Sequence, residues 1–411
     1  MVSRRGHFVL VPIGVVAVAA GGLTGCSDQA EEATFVPSPE PAASIELSPP
    51  EGHDDAPLST ELSIKVTDGE VASVEMHDDD GDRLSGELRA DASAWVPDEP
   101  LQPATTYTAT VEAVDENRIS TEATTSFTTM KAPGERVTAS LWNNADYAYG
   151  NAMPLMIDFP QTFEVAEKHR AGVEKRLFVS SQPPQEGAWH WFTGNHLEYR
   201  PQEFWEPGTV LTVRAALDGV PLGDGKYGAK DIRRTISIDP TERVIKVSNA
   251  DKEMVAEKDG EVVKSMPISL GKESTPSYSG TMTIMEQTAH TVFDTTAQCG
   301  GRVMGDDCYR TPVDWAQRLT WSGQFIHSAP WSVGDQGVRN VSHGCINASP
   351  ADSKWVFEFA RVGDPVLVEG TESELPYGDG FTAFDMSWED FLAGSSLHAD
   401  DASESGAGDG D

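Results

Sequence analysis

The sequence predicts a mainly β protein: two immunoglobulin-like sandwiches in series, then a third β-rich domain with one short helix and a C-terminal subdomain. Three observations predict it. Apolar and polar residues alternate with period two, as at Leu62, Ile64 and Val66 and again at Tyr107, Ala109, Val111 and Ala113. The first two blocks echo each other. Pro103-Ala104-Thr105-Thr106-Tyr107-Thr108 matches Pro207-Gly208-Thr209-Val210-Leu211-Thr212, each followed by a closing strand, near Phe127 and near Ile236. The length of 411 residues accommodates about three domains.

In chain order, Arg4 and Arg5 precede an apolar run from Phe8 to Ala20 that reaches Leu23-Thr24-Gly25-Cys26. This resembles a lipoprotein signal, in which Cys26 is diacylated and becomes the mature N-terminus. An ordinary cleaved signal and a transmembrane anchor are the alternatives, although the run is short for crossing a bilayer. Two acyl chains give stable anchoring, here to the outer face of the cell membrane. Residues 27–44 are rich in Pro, Glu, Ala and Ser, a composition that buries too little apolar surface to fold, and read as a tether.

The first sandwich is placed at 45–131 and the second at 132–240, both read as short strands. Asp78-Asp79-Asp80-Gly81-Asp82 looks like a calcium loop but lacks the distal glutamate, so it reads as a hairpin turn. Leu222-Gly223-Asp224-Gly225 is another candidate cation loop, but Pro221 stands where a carboxylate would help, and no metal is assigned. Trp189, His190 and Trp191 read as core or inter-domain packing, with sugar stacking as the alternative. The third domain, 241–370, opens with strands around Val244–Val247 and a hairpin at Asp259-Gly260. Ser349-Pro350-Ala351-Asp352 signals a helix start, with a capping Ser, a Pro in the first turn and an early acid. Trp355, Val356 and Phe359 then form an apolar stripe for core packing. Residues 371–394 form the C-terminal subdomain, whose Phe384, Trp388 and Phe391 are expected to pack back on the third domain. An acidic disordered tail, 395–411, ends the chain.

The chemistry concentrates between Ile326 and Asn347, IHSAPWSVGDQGVRNVSHGCIN, where His327 and Cys345 stand 345 − 327 = 18 positions apart. A cysteine acyl-transfer site needs a thiol nucleophile, an imidazole to take its proton, and backbone N–H groups for the oxyanion. Cys345, His327 and the Gly344 backbone supply these types. For an arbitrary Cys/His pair the ordinary reading is a buried structural thiol beside an unrelated histidine.

The string Ser342-His343-Gly344-Cys345-Ile346-Asn347, with His327-Ser328-Ala329-Pro330-Trp331 upstream, resembles the active-site signature of the L,D-transpeptidases, the YkuD-type peptidoglycan cross-linking enzymes. The resemblance extends to Tyr309-Arg310-Thr311, Val313-Asp314-Trp315 and Trp321-Ser322-Gly323, and to Ser265-Met266-Pro267, Ser269-Leu270-Gly271 and Thr275-Pro276. It implies that Cys345 is the nucleophile and His327 the general base and later acid. Ser328 would orient the imidazole through its backbone, and the amides around His343, Gly344 and Cys345 would form the oxyanion hole. Tyr309, Ser322, Gly323 and Asn347 would line the donor-peptide site, with Trp331 on its rim. Mycobacterial-type members also carry immunoglobulin-like domains ahead of the catalytic one.

Of four cysteines, Cys26 is read as lipidated and Cys345 as reactive, leaving Cys299 and Cys308, 308 − 299 = 9 positions apart. Outside the cytoplasm such a pair oxidises, and a disulfide here would stiffen the loop before Tyr309; two free thiols are the alternative. The net charge of −36, from 30 basic against 66 acidic residues, argues against nucleic acid and against electrostatic docking on anionic lipid.

By resemblance, the expected reaction is peptidoglycan transpeptidation. Cys345 attacks the amide between the diamino acid and terminal D-Ala of a tetrapeptide stem, a thioester forms, and the side-chain amine of a second stem completes a 3→3 cross-link. The partners are donor and acceptor stem peptides, no metal or organic cofactor is expected, and carbapenems are the expected covalent inhibitors. An L,D-carboxypeptidase using the same residues, with water as acceptor, is the second reading. A non-catalytic wall-binding lipoprotein is the third, and it gives the Cys345/His327 pair nothing to do.

Overall fold

The alternation read at Tyr107, Ala109, Val111 and Ala113 belongs to a nine-residue strand, Thr106–Val114, in which those four side chains are buried and their neighbours are not. The computed structural model describes residues 42–89, 92–131, 134–299, 301–303 and 308–397. In it this strand pairs antiparallel with Ser120–Thr129, in a four-stranded sheet completed by His53–Ala56 and Glu70–His77. Ser44–Ser48, Leu62–Thr67, Ala94–Pro97 and Gly86–Leu88 form the opposing sheet, and Leu62, Met76, Trp95 and Phe127 fill the space between. The Asp78–Asp82 run is a turn: Asp78 Oδ1 accepts from the N–H groups of Asp80 and Asp82, at 3.1 and 2.8 Å.

The second block repeats this plan, and the sequence echo is an echo of register. Val210–Ala215 pairs antiparallel with Ile232–Ile238, so that Leu211 lies opposite Ile236 as Tyr107 lies opposite Phe127. All four are buried. The opposing sheet contains Ser140–Leu141, Leu155–Asp158, His196–Pro201 and Gly187–Thr193. One element departs from the all-strand reading: Glu167–Glu174 is a helix, α1, built largely of good helix formers with Val173 buried. Trp189 and Trp191, 5% and 6% exposed, are core residues whose indole N–H groups donate to Leu177 O and Glu174, so neither offers a face to a sugar. Asp224-Gly225 is the turn between two short strands, Pro221–Gly223 and Lys226–Gly228, and Leu222 and Gly223 lie in the first of them.

The third block holds a six-stranded sheet, in the order Glu261–Pro267, Glu253–Lys258, Arg243–Ser248, Pro365–Glu369, Tyr278–Thr283 and Ser373–Glu374. Asp259 and Gly260 both take positive φ, +52° and +79°, as a two-residue hairpin turn of type I′ requires. A four-stranded sheet, Glu286–Asp294, Arg310–Arg318, Phe325–Ser328 and Ile346–Ala348, carries the Cys/His motif. The second helix, α2, spans Pro350–Phe359; Ser349 Oγ accepts from Asp352 N, the expected cap. It packs on the Arg310–Arg318 and Phe325–Ser328 strands. Val356 is fully buried, which stabilises by about 1.5–3 kcal/mol, and Trp355 stacks on Phe359 at 4.8 Å.

The C-terminal aromatics do not pack back on the third domain alone. Asp385 accepts from Thr281 N at 2.6 Å, but Phe384, Trp388 and Phe391 surround the Arg200 guanidinium of the second sandwich, at 5.1, 5.1 and 4.5 Å from the ring centroids. Trp388 opens the third helix, α3, Trp388–Ala393. Arg200 is 2% exposed and donates to Met386 O at 2.9 Å. A buried cation needs ring faces and carbonyls around it, and this segment supplies both. The second sandwich also meets the third domain through backbone, Gly150 N donating to Val362 O at 2.9 Å. A Cβ at Gly150 would stand 2.2 Å from Asp364 N.

Among the described residues, no helix is long and apolar enough to cross a membrane. The Cys26 signal, most of the tether and the tail from residue 398 lie outside the described residues. Ser395 and Ser396, read as the start of a disordered tail, are instead fixed on the second sandwich: Ser395 is 4% exposed, and Ser396 N donates to Glu174 Oε2 at 2.8 Å.

Candidate active site

Strand pairing brings the 18-residue spacing down to neighbouring positions. Phe325–Ser328 and Ile346–Ala348 are adjacent parallel strands with His327 opposite Asn347, and Cys345 sits immediately before the second strand. Both Cys345 and His327 are buried, 7% and 3% exposed, and both line one cavity of about 410 Å³.

Four neighbours fix the imidazole. Its Nδ1 lies 2.9 Å from Ser328 O; a carbonyl only accepts, so Nδ1 carries the proton and Nε2 holds the lone pair. Phe293 meets the ring edge-on at 5.0 Å, and Trp331 lies 6.0 Å away. Asn347 hydrogen-bonds the imidazole and Ser332 Oγ. Burial outweighs these bonds and lowers the His327 pKa to about 4.

The nucleophile turn depends on residues with no Cβ or with a hydroxyl. Gly344 has φ of +119°, and a Cβ there would meet Gln324 Nε2 at 3.2 Å. Ser277 Oγ donates to Gly344 O at 2.7 Å; Ser342 Oγ donates to Cys345 O at 2.6 Å and accepts from Gly344 N at 3.1 Å. The Gly344 N–H is therefore already engaged. Burial raises the Cys345 pKa to about 11, against a hydrogen bond from the Phe325 backbone. The thiol donates to Gly323 O at 3.7 Å. Thiol and imidazole are both uncharged at neutral pH.

Of the expected donor-site residues, Tyr309, Trp331 and Asn347 line the cavity, as does His343, whose Nε2 accepts from Lys272 Nζ at 3.0 Å. Trp331 is 58% exposed, on the rim. Ser322 and Gly323 do not line it. Asp379 takes both Ser322 donors, N at 2.7 Å and Oγ at 2.5 Å, and turns that side chain away, while Gly323 meets the sulfur through its carbonyl. Sequence reasoning missed Phe293, Gln324, Ser277 and Asp379; only the alternation around Phe293 was a readable signal. Cys308 is buried and disulfide-bonded, the side chain of Cys299 lies outside the described residues, and Cys345 is a free thiol.

Fold and site define a class: a multidomain β protein in which immunoglobulin-like sandwiches lead into a domain with a buried cysteine–histidine pair. Comparison with known proteins narrows it. A bacterial Ig domain family matches residues 53–221, and the L,D-transpeptidase catalytic domain family matches residues 242–368. L,D-transpeptidase 2 of Mycobacterium tuberculosis is 34% identical over 341 residues, covering 83% of this chain and 81% of that protein. L,D-transpeptidase 5 of the same organism is 28% identical over 404 residues, covering 96% and 86%. A solved L,D-transpeptidase in complex with imipenem, 32% identical, covers 58% of this chain and all of its own, with a TM-score of 0.48. The chain belongs to the L,D-transpeptidase family and is an acyltransferase.

Proposed function

We propose that this enzyme forms 3→3 cross-links between peptidoglycan stems through a Cys345 thioester. Its support is one arrangement: an imidazole with its lone pair on Nε2, carried on one strand, and a free thiol at the entry to the adjacent strand, both opening into one cavity. Cys345 Sγ attacks the carbonyl of the third stem residue, and the thiol proton passes to His327 as the C–S bond forms. His327 then protonates the departing D-Ala amine as the C–N bond breaks. The acceptor amine attacks the thioester and loses its proton through His327, and the thiol is regenerated. The Cys345 amide, rather than that of Gly344, which Ser342 already holds, is assigned to the oxyanion. Tyr309, Trp331 and Asn347 contact the donor stem.

Carbapenems acylate the same thiol. Cys26 carries the lipid that holds the protein on the outer face of the cell membrane, and Cys308 is bonded to Cys299 ahead of Tyr309. The domains of the chain divide at about residues 45, 132, 241 and 371.

Incubating the chain from Ser27 onward, and its Cys345→Ala variant, with disaccharide-tetrapeptide tests the reaction by mass spectrometry. A cross-linked dimer lacking one D-Ala, formed only by the parent, is the expected product. Tripeptide alone would make the enzyme an L,D-carboxypeptidase, and no Cys345-dependent product would sink both enzymatic readings.

A further inference from the structure

Asp379 lies outside the catalytic motif, and the reaction above gives it no part. It reaches the loop 319–324, which joins Arg310–Arg318 to Phe325–Ser328, the strand that carries His327. Leu319 N donates to Gln324 O at 2.9 Å and closes that loop. Gly380 takes a φ of +125°, and a Cβ there would stand 2.7 Å from Leu319 O, so a glycine lets the C-terminal segment come this close.

The hydrogen bonds in the loop have a fixed direction. Asp379 accepts from Ser322 N at 2.7 Å and from Ser322 Oγ at 2.5 Å. A carboxylate only accepts, so the one hydroxyl proton of Ser322 is committed to Asp379. The Thr320 hydroxyl, 3.0 Å from Ser322 Oγ, therefore donates to it. Thr320 Oγ1 keeps its lone pairs, which accept from Gly323 N at 3.2 Å and Gln324 N at 2.9 Å. Thr320 is fully buried, out of reach of solvent.

The Gln324 N–H belongs to the same peptide unit as the Gly323 carbonyl. In a planar trans unit the two point in opposite directions. Fixing the N–H on Thr320 thus aims the carbonyl the other way, and there it accepts from Cys345 Sγ at 3.7 Å. Phe325, next in the chain after Gln324, gives the sulfur a backbone hydrogen bond. We propose that Asp379 is a positioning residue for the acyl transfer: through Ser322 and Thr320 it sets the peptide plane that holds the Cys345 thiol in one orientation. This role rests on the reading of Cys345 as the nucleophile.

Asparagine at 379 tests the relay, because its amide puts an N–H where the carboxylate has only acceptors. A donor then meets a donor at Ser322 or, one step on, at Thr320. Acylation of the full chain by a carbapenem, followed by mass spectrometry over a range of concentrations, reads the effect. Asp379→Asn and Ser322→Ala are each expected to slow acylation at saturation by about ten- to hundredfold, with the half-saturating concentration changed less than about threefold. Both should still reach one adduct per chain at long times, which reports folding. The double variant is expected to be no slower than the slower single one, because both changes break one chain of bonds. Either single variant acylating at the parent rate, losses that multiply in the double variant, or a loss confined to the half-saturating concentration would overturn the proposal. Should Asp379→Asn fail to fold, the Ser322→Ala rate decides. Acylation that persists in Cys345→Ala would remove the nucleophile reading itself, whereas parent-like rates in the relay variants remove only the positioning role.

Discussion

Replacing His327 by Gln separates two descriptions of the nucleophile. In a preformed thiolate–imidazolium pair, the imidazolium creates the reactive sulfur and its loss silences the thiol. Here burial holds Cys345 at about 11, two units above its ordinary 9.0, and His327 at about 4, so the pair is neutral. Two units amount to about 2.7 kcal/mol, or roughly a hundredfold less thiolate at pH 7 than an ordinary cysteine holds. Alkylation by iodoacetamide without reductant, followed by mass spectrometry, reads this on the free thiol. The rate is expected to climb about tenfold per pH unit from 7 to 10 with no plateau, and His327→Gln is expected to leave that slope unchanged. Carbapenem acylation, which needs the proton removed during attack, is expected to slow by about 10²–10⁴ in the same variant. An alkylation plateau near pH 6–8 that disappears with His327 would refute the neutral pair.

The same imidazole sets an acid limit on stability: its folded pKa lies below the ordinary 6.5, so its contribution is complete above 6.5 and lost as pH falls towards 4. The full span is about 3 kcal/mol, and urea unfolding across pH 4–7 should show a steeper loss in the parent than in His327→Gln. Gly344→Ala forces a side chain into a φ of +119° against Gln324, so a stability loss of about 1–3 kcal/mol with loss of acylation is expected; an unaffected melting curve would contradict it. Ser342→Ala removes two hydrogen bonds from the nucleophile turn and should lower stability by about 1–3 kcal/mol in denaturant titration while slowing acylation. Alkylating the unreduced chain from Ser27 onward is expected to label one thiol, and three only after reduction; three without reductant would exclude the Cys299–Cys308 bond.

Much of this was legible because it is local. Strand period follows from side chains alternating across a sheet, which is why Tyr107 to Ala113 read correctly, and the helix cap at Ser349 is written in four consecutive residues. The Cys/His pair was legible through its surrounding motif. What stayed hidden depends on partners distant in the chain. Nothing near Ser322 announces the Asp379 carboxylate that turns it from the cavity, and nothing in Phe384, Trp388 and Phe391 reveals that their cation is Arg200. The helix Glu167–Glu174 was hidden differently: one short amphipathic stretch among strands gives little periodicity to read.

The Asp379–Ser322 contact has a bearing on the order of assembly. The carboxylate that secures the loop beside the nucleophile is made 57 residues after the serine it holds, and the aromatic segment that follows it closes over a guanidinium made nearly two hundred residues earlier. Synthesis can therefore finish both sandwiches and most of the third domain while the reactive centre is still unsecured. A chain interrupted before Asp379 would contain Cys345 and His327 yet lack the clasp on their loop, so competence is tied to synthesis of a segment that lies beyond the catalytic motif.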